Sequence, residues 1–594
     1  MDSSMKWIAR LLLATVMSGC GGGDANPAGS QHSSSISSGG SPAASTNAND
    51  WFVDRAEATG LRFSYFNGMS GAFYFPEMLP GGVALFDYDN DGDLDVYFAQ
   101  GQMLGEGRTP AQALIPPRDA SPLKGRLYKN DLARNGEPTT LRFTDVTDQS
   151  GIDARGYGMG VAAGDVDNDG CVDLYLTFFG PSRLFHNNCD GTFRDASAES
   201  GTGSAGWSVS ASFVDFDRDG WLDLYVGNYV QYDIKADQPC TGLTGRRDYC
   251  TPAVYRPGSD RLYRNQRNGT FADVTGTALA GGPFGPALGV VAADFDDDGW
   301  MDIYVANDGK ENLLWMNQKN GTFRNVGLLS GSALSGDGKP EGSMGVDAGD
   351  FDNDGDEDLF MTHLPTEGNN LYLNDGSGFF EDVSARAALG PLSLGHTGFG
   401  TSFFDFDNDG WLDVLAVNGA IEAIKARTAQ AFPYDEPKLL FRNRKDGTFE
   451  DVTHQAGAVF SASEVSRGAA FGDIDNDGDT DLVVSNINGP ARLLINTVGN
   501  RKHWIGLRLV GRTGRDMLGA RVEVVRKSGS ARRRRVRSDG SYASANDPRV
   551  LVGLDDSTEP PMIRVRWPDG AIAEWSTAPI DSWTTLKEGE GRVR

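Results

Sequence analysis

The 594-residue chain has only five cysteines and six histidines. No CxxC pair is present, which removes the usual zinc-site spacings. The histidines are scattered, and neither HExxH nor Gly-x-Ser-x-Gly occurs, so no hydrolase signature is visible. Cationic residues are scarce too: 54 Lys and Arg stand against 82 Asp and Glu, a net charge of −28. That balance disfavours nucleic acid or an anionic membrane surface as the main partner and favours cations. The one apolar run, Leu11 to Met17, is too short to anchor stably across a bilayer. What the chain does have is 77 glycines, implying many tight turns and arguing against long helices, with enough apolar (39%) and aromatic (10%) residues to build a core.

The start reads as an export signal. Lys6 and Arg10 precede the short apolar run, and Met17-Ser18-Gly19-Cys20 follows it. Those small residues before a cysteine resemble a bacterial lipobox, which implies cleavage and lipidation at Cys20. Residues 1–20 are thus a lipoprotein signal, and 21–48, a Gly/Ser/Asn/Ala run, are a flexible tether. Ordinary secretion with Cys20 removed is the alternative. Gly21, rather than Asp, resembles Gram-negative lipoproteins that can reach the outer membrane. The expected location is the cell envelope, with the N-terminal lipid as the only membrane contact. Four cysteines remain for an oxidising compartment. A hairpin turning at Gly180-Pro181 would face Cys171 with Cys189, and Cys240 and Cys250 share one irregular insertion that they would staple.

One pattern, Asp-x-Asp-x-Asp-Gly-x-x-Asp, occurs seven times. Its aspartates are Asp87, Asp89, Asp91 and Asp95 in loop 1; Asp165, Asp167, Asp169 and Asp173 in loop 2; Asp215, Asp217, Asp219 and Asp223 in loop 3; and Asp294, Asp296, Asp298 and Asp302 in loop 4. Asp350, Asp352, Asp354 and Asp358 form loop 5, Asp405, Asp407, Asp409 and Asp413 loop 6, and Asp473, Asp475, Asp477 and Asp481 loop 7. Carboxylates two residues apart converge only if the chain curls sharply, which Gly at position 6 permits. Four like charges in a turn are costly without a cation. Four carboxylates, the position-7 carbonyl and a water suit Ca²⁺, so about seven calcium sites are expected. An EF-hand is excluded because position 12 is Phe98, Leu176, Val226, Val305, Met361, Ala416 or Val484, none a ligand. Each loop instead opens a short apolar segment, as in Asp95-Val96-Tyr97-Phe98, the mark of a strand buried on both faces.

After each loop comes a strand of the type Arg-Leu-Tyr-x-Asn, and after loops 1 to 6 a Gly turn and Phe-x-Asp-Val-Thr. The last strand is missing after loop 7, and Trp51-Phe52-Val53-Asp54 precedes loop 1. The N-terminal strand is therefore expected to complete the seventh sheet and close a ring. The expectation is an all-β chain: a seven-bladed β-propeller over 49–499, followed by a small β-rich domain over 500–594. The repeat resembles the FG-GAP/VCBS-type calcium repeats of integrin α-chain propellers over about residues 51 to 498. Phe-Gly and Gly-Ala-Pro dipeptides are sporadic, so ligand habits of integrins do not transfer.

Thirteen residues past each loop start stand Gln100, Phe178, Asn228, Asn307, His363, Asn418 and Asn486. They end the buried strands opposite the loops. Either they ring the channel as a ligand face or they merely terminate strands. Long insertions leave from the same end, at 101–124, 229–259 and 419–437, and carry Tyr229, Tyr232, Tyr249, Tyr255, Phe432 and Tyr434. They are a candidate recognition surface or padding over sheet edges.

From about residue 500 the charge reverses, with 19 basic and 12 acidic residues over 501–594. Gly519-Ala520-Arg521-Val522, Gly540-Ser541-Tyr542, Val552-Gly553-Leu554 and Trp567-Pro568-Asp569-Gly570 resemble the ASPIC/UnbV domain, which follows such propellers in the cartilage acidic protein family and its bacterial relatives. Leu551 to Asp555 departs from that family's aromatic and second glycine. The run Arg532 to Arg535 with Arg537 could grip anionic lipid, acidic glycan or the acidic propeller itself, or be a solvated hairpin. The chain reads as an exported, lipid-anchored calcium-binding module for an unknown protein, glycan or small molecule. The alternatives are an enzyme, for which His363 is the one central candidate, and a purely architectural surface protein.

Overall fold

The computed structural model describes residues 50–118, 122–132, 140–203, 205–242, 244–428, 430 and 432–593. The export signal, Cys20 and the tether lie outside the described residues. The described α-helices are single turns of four or five residues, and no described helix is long and apolar enough to cross a membrane.

The described residues form seven four-stranded antiparallel sheets. In the first, Val83–Phe86 leads through loop 1 into Asp95–Phe98, then Arg126–Asn130 and Phe143–Asp145. The inner two strands are wholly buried, and apart from Asp95 their side chains are apolar or aromatic. The other sheets repeat this plan. In the last, Phe52–Asp54 supplies the outermost strand and pairs Phe52 with Asn496 and Asp54 with Leu494. The innermost strands contact one another in a closed cycle, first to second and onward to seventh and back to first.

The motif asparagine explains how neighbouring sheets are joined. Its side-chain Nδ2 donates to the loop position-2 carbonyl of the preceding sheet. Asn187 reaches Tyr88 at 2.8 Å, Asn265 Val166 at 2.8 Å, Asn317 Phe216 at 2.8 Å and Asn374 Phe295 at 2.9 Å. Asn443 reaches Phe351 at 2.9 Å and Asn496 Phe406 at 2.8 Å. Asn130 closes the cycle on Ile474 at 3.0 Å. The same residue's backbone N–H donates to the position-9 aspartate of its own loop, at 2.7 to 2.9 Å in all seven sheets.

Beyond the ring, a three-stranded sheet (Val550–Asp555, His503–Val510, Trp583–Lys587) packs with a five-stranded one led by Ala531–Arg535 and Arg521–Val525. This part has its own sheets, yet ring and C-terminal part form one compact unit. Its core residues Leu507, Val524, Val552 and Ile563 belong to one apolar cluster with Phe213, Leu224 and Tyr263 of the ring.

A segment between these sheets runs down the ring axis. Ser538 Oγ donates to Ala163 O, Asp539 Oδ2 accepts from Ser212 Oγ and Ala292 N, and Ser541 O accepts from Val346 N. Ser541 Oγ bonds Ala469 O and Thr401 N, while Ala545 exchanges backbone bonds with Val83 and Leu85. Residues 538–545 thus touch the innermost strand of every sheet and fill the channel. Glycines make the room: a Cβ at Gly82 would stand 2.4 Å from Ala543 O. The segment itself turns through left-handed Gly540, Ser541 and Ala543.

Candidate metal loops and the surface that covers them

Each loop is wound by the same bonds. In loops 1 to 4, 6 and 7 the first aspartate accepts the backbone N–H of positions 5 and 6, at 2.8 to 3.2 Å. The position-5 carboxylate accepts the N–H of position 7 in every loop. The position-9 aspartate accepts the N–H of position 2, tying the loop's end to its start. The glycine at position 6 is left-handed in all seven loops, with φ from 84° to 108°. Position 4 is left-handed as well: Asn90, Asn168, Arg218, Asp297, Asn353, Asn408 and Asn476. The recurrence of Asn and Asp there, the side chains that best tolerate this conformation, was the available signal.

These bonds leave at least one group over in each loop. A buried carboxylate oxygen without a hydrogen-bond partner remains on Asp89, Asp167, Asp217, Asp296, Asp407 and Asp475, all at position 3, and in loop 5 both oxygens of Asp350 are left. In loops 1, 2 and 3, oxygens from three aspartates of the same loop lie within 4.8 Å of one another. Burial pushes the position-1 carboxyls up: Asp87, Asp215, Asp294 and Asp350 to about 6, Asp165 and Asp473 to about 7, Asp405 to about 8. Convergent, desolvated carboxylates with spare lone pairs are a donor set for a hard cation. Lys129, Arg267, Lys319 and Lys445 pair with position-3 or position-5 carboxylates at the outer edge.

The two disulfides join Cys171 to Cys189 and Cys240 to Cys250. The first ties position 7 of loop 2 to the turn beyond Arg183–Asn187, the second strand after that loop.

The C-terminal part covers the loop face, and its arginines meet the first aspartates. Arg508 lies 3.5 Å from Asp87 and Arg521 3.4 Å from Asp294. Arg515 stands near Asp215, Arg534 near both Asp350 and Asp405, and Arg549 near Asp473, each holding the carboxyl down against burial. The basic run is spent here rather than on solvent: Arg533 Nη1 donates to Gly355 O, Arg535 pairs with Glu357 at 2.9 Å and Arg537 with Asp347 at 2.6 Å. Its partner is the acidic ring, which sequence had offered only as one of several choices.

The opposite end is closed by different chemistry. Gln100, Asn228, Asn307, His363, Asn418 and Asn486 are all buried. The side-chain amides of Gln100, Asn228, Asn307, Asn418 and Asn486 donate to carbonyls of nearby turns, as in Asn418 to Pro437 and Asn486 to Pro490. These bonds shape the strand exits; Phe178 is buried as well. His363 is 1% exposed and burial lowers it to about 4. Its Nε2 lies 3.1 Å from Ser343 Oγ and 3.8 Å from Glu341, while Nδ1 has no partner. The acid sits on the same ring nitrogen as the serine, which is not the relay of a nucleophilic triad. The insertion aromatics pack on one another, with Trp207 edge-on to Tyr229 at 4.9 Å and Phe75 stacked on Tyr255 at 5.5 Å, above Tyr542 of the axial segment. Sequence gave no hint of Glu77, which lies fully buried beneath this end and accepts from Tyr249 OH at 2.8 Å.

The FG-GAP-like repeat matches residues 165–226, 244–305, 294–361, 350–416 and 431–484, and "ASPIC and UnbV" matches 511–593. The chain carries FG-GAP-like repeats and a C-terminal ASPIC and UnbV domain. Cartilage acidic protein 1 of Mus musculus is 31% identical over 170 residues, and that of Homo sapiens 29% over 170. Each alignment takes in 27% of this chain and 25% of the relative, so about a quarter of the curated relatives' length is spanned. Among solved structures, an Agrocybe aegerita lectin recognising non-reducing terminal N-acetylglucosamine matches at TM-score 0.33 and 15% identity, over 63% of this chain and 90% of that one. YCF48 bound to D1 peptide matches at TM-score 0.35 and 8% identity, over 71% and 93%. At those scores neither carries an argument about function.

Proposed function

We propose that this FG-GAP repeat protein is an exported, lipid-anchored calcium-binding module of the cell envelope, its ring held by one Ca²⁺ per loop and its ASPIC and UnbV domain seated on the loop face. The single observation that carries the metal reading is the recurrence, in all seven loops, of a buried carboxylate oxygen that no N–H or O–H among the described residues satisfies. A lone buried orphan is an occasional defect; orphans in every loop, at position 3 in six of the seven, are a coordination feature. The aspartates at positions 1, 3, 5 and 9 would hold the ion, which would supply charge neutralisation and a fixed turn. Cys20 would carry the lipid, and residues 21–48 would let the module stand off the membrane. Elemental analysis of purified, folded protein tests the metal: about seven calcium atoms per chain are expected, and folded material free of calcium sinks the reading. Mass spectrometry of the mature N-terminus tests the anchor, with an unmodified chain still bearing residues 1–20 as the refuting result.

A further inference from the structure

Loop 2 differs from the other six in the side chain that stands just before the motif asparagine. In loops 1, 3 and 6 it is Lys129, Arg264 and Arg442, and in loops 4, 5 and 7 it is Met316, Leu373 and Ile495. Loop 2 alone places an imidazole there, that of His186. Two of the cations act as counter-charge: Lys129 pairs with Asp89 and Asp91, and Arg442 with Asp407 at 2.7 Å. His186 sits differently. Its Nδ1 lies 3.2 Å from Asp173 Oδ1 and 3.4 Å from Asp167 Oδ2, so one ring nitrogen faces two carboxylates at once. Ligand atoms of the three residues fall within 4.8 Å of one another.

Those separations exceed the about 2.7 to 2.9 Å of a charge-assisted hydrogen bond. They fit a tetrahedron whose metal bonds are about 2.0 to 2.1 Å and whose edges are therefore about 3.3 to 3.4 Å. The three side chains are positioned by the fold itself. Asp173 is fully buried and accepts the N–H of Val166 at 2.9 Å and of Asn187 at 2.8 Å. Asp167 keeps a buried Oδ1 with no hydrogen-bond partner. The disulfide from Cys171 to Cys189 ties the loop to the turn that follows Arg183–Asn187, the strand carrying His186. The side chains of His186 and Asp167 stay 16% and 29% exposed, which leaves an ion a way in.

We propose that loop 2 is a transition-metal site, in which Asp167, Asp173 and Nδ1 of His186 hold one Zn²⁺ in preference to Ca²⁺, with a water as fourth ligand. Ca²⁺ takes oxygen donors, whereas an imidazole with two carboxylates is a zinc donor set. The proposal rests on the metal reading of positions 3 and 9 and changes the ion that this one loop takes.

The test is titration of the folded, calcium-loaded full chain with zinc chloride, with calcium and zinc counted on the same sample and X-ray absorption at the zinc edge reading whether an imidazole is bound. Expected is one tight Zn²⁺ per chain with one imidazole ligand, and the loss of one Ca²⁺. His186→Gln should weaken that zinc at least about tenfold and leave the remaining calcium in place. His186→Lys, which gives loop 2 the residue of loop 1, should lose the zinc as well and restore the calcium count of the zinc-free protein; it keeps the test decisive if His186→Gln fails to fold. No tight zinc on a calcium-loaded chain, zinc without an imidazole, or zinc that survives both substitutions overturns the proposal and leaves the calcium reading standing. A folded chain without calcium that binds one zinc through His186 supports this site and refutes the calcium reading. A folded chain that binds neither ion refutes both.

Discussion

The two ends of the ring solve the same problem, closing a channel, in opposite ways. At the loop end closure is electrostatic and periodic: seven copies of one nine-residue turn, roofed by arginines of the C-terminal part. At the other end it is apolar and irregular, built from insertions of unequal length whose aromatics pack on one another. Periodic charge needs counter-charge at each copy, which a second domain or a bound cation can supply. Irregular aromatics need only enough shared area to exclude water. The loop end should therefore respond to ions and the insertion end should not.

The largest expected effect comes from removing cations. Excess chelator should lower the melting temperature sharply, because a ligand bound only to the folded state contributes about 2.7 kcal/mol per site at a hundredfold excess over Kd. A calorimetric scan that does not move would break the contrast between the two ends. Next is the axial segment. Asp539→Ala removes the acceptor for Ser212 Oγ at 2.6 Å and Ala292 N at 2.8 Å, both buried, and should cost about 2 to 5 kcal/mol in denaturant unfolding. A loss below about 1 kcal/mol would mean the segment only occupies space.

A smaller effect separates two asparagines. Asn443 joins adjacent sheets through Phe351 O, whereas Asn418 bonds within its own sheet's turn to Pro437 O. Asn443→Ala should lose about 1 to 3 kcal/mol and Asn418→Ala less, since the latter leaves contacts between sheets untouched. Equal losses would deny the intersheet bond any special part.

Smallest per pH unit is the effect at the insertion end. Burial raises Glu77 from 4.5 to about 8, so between those values the folded state holds a proton that the unfolded chain has released. Stability then falls as pH rises from 4.5 toward 8, by at most about 1.4 kcal/mol per unit, and levels off above 8. Glu77→Gln should flatten that slope in urea titrations run at fixed calcium. An unchanged slope would place the titration elsewhere.

How far the sequence could be read depended on the range of the interaction. The loops were legible because position 1, the glycine and position 9 act on backbone within nine residues, and their recurrence exposed the rule. The motif asparagine was visible as a repeat, but its bond to the preceding sheet was not, since Asn130 and Ile474 are 344 residues apart. The strand-end residues stayed ambiguous for a related reason. Polar side chains after a buried strand fit a channel mouth as well as a turn, and only their bonds to neighbouring carbonyls decide. Gly540-Ser541-Tyr542 stood out as a family resemblance with no visible task; it proves to be the piece that enters the axis, where Tyr542 meets Leu79 across 463 residues.

By itself, then, the sequence determined seven tight acidic turns, the strands they open and the N-terminal strand that completes the last sheet, because turn geometry and strand burial are set by neighbours along the chain. Only the tertiary structure decided that the channel is filled and that the basic run faces the acidic ring. Those outcomes depend on which distant surfaces meet.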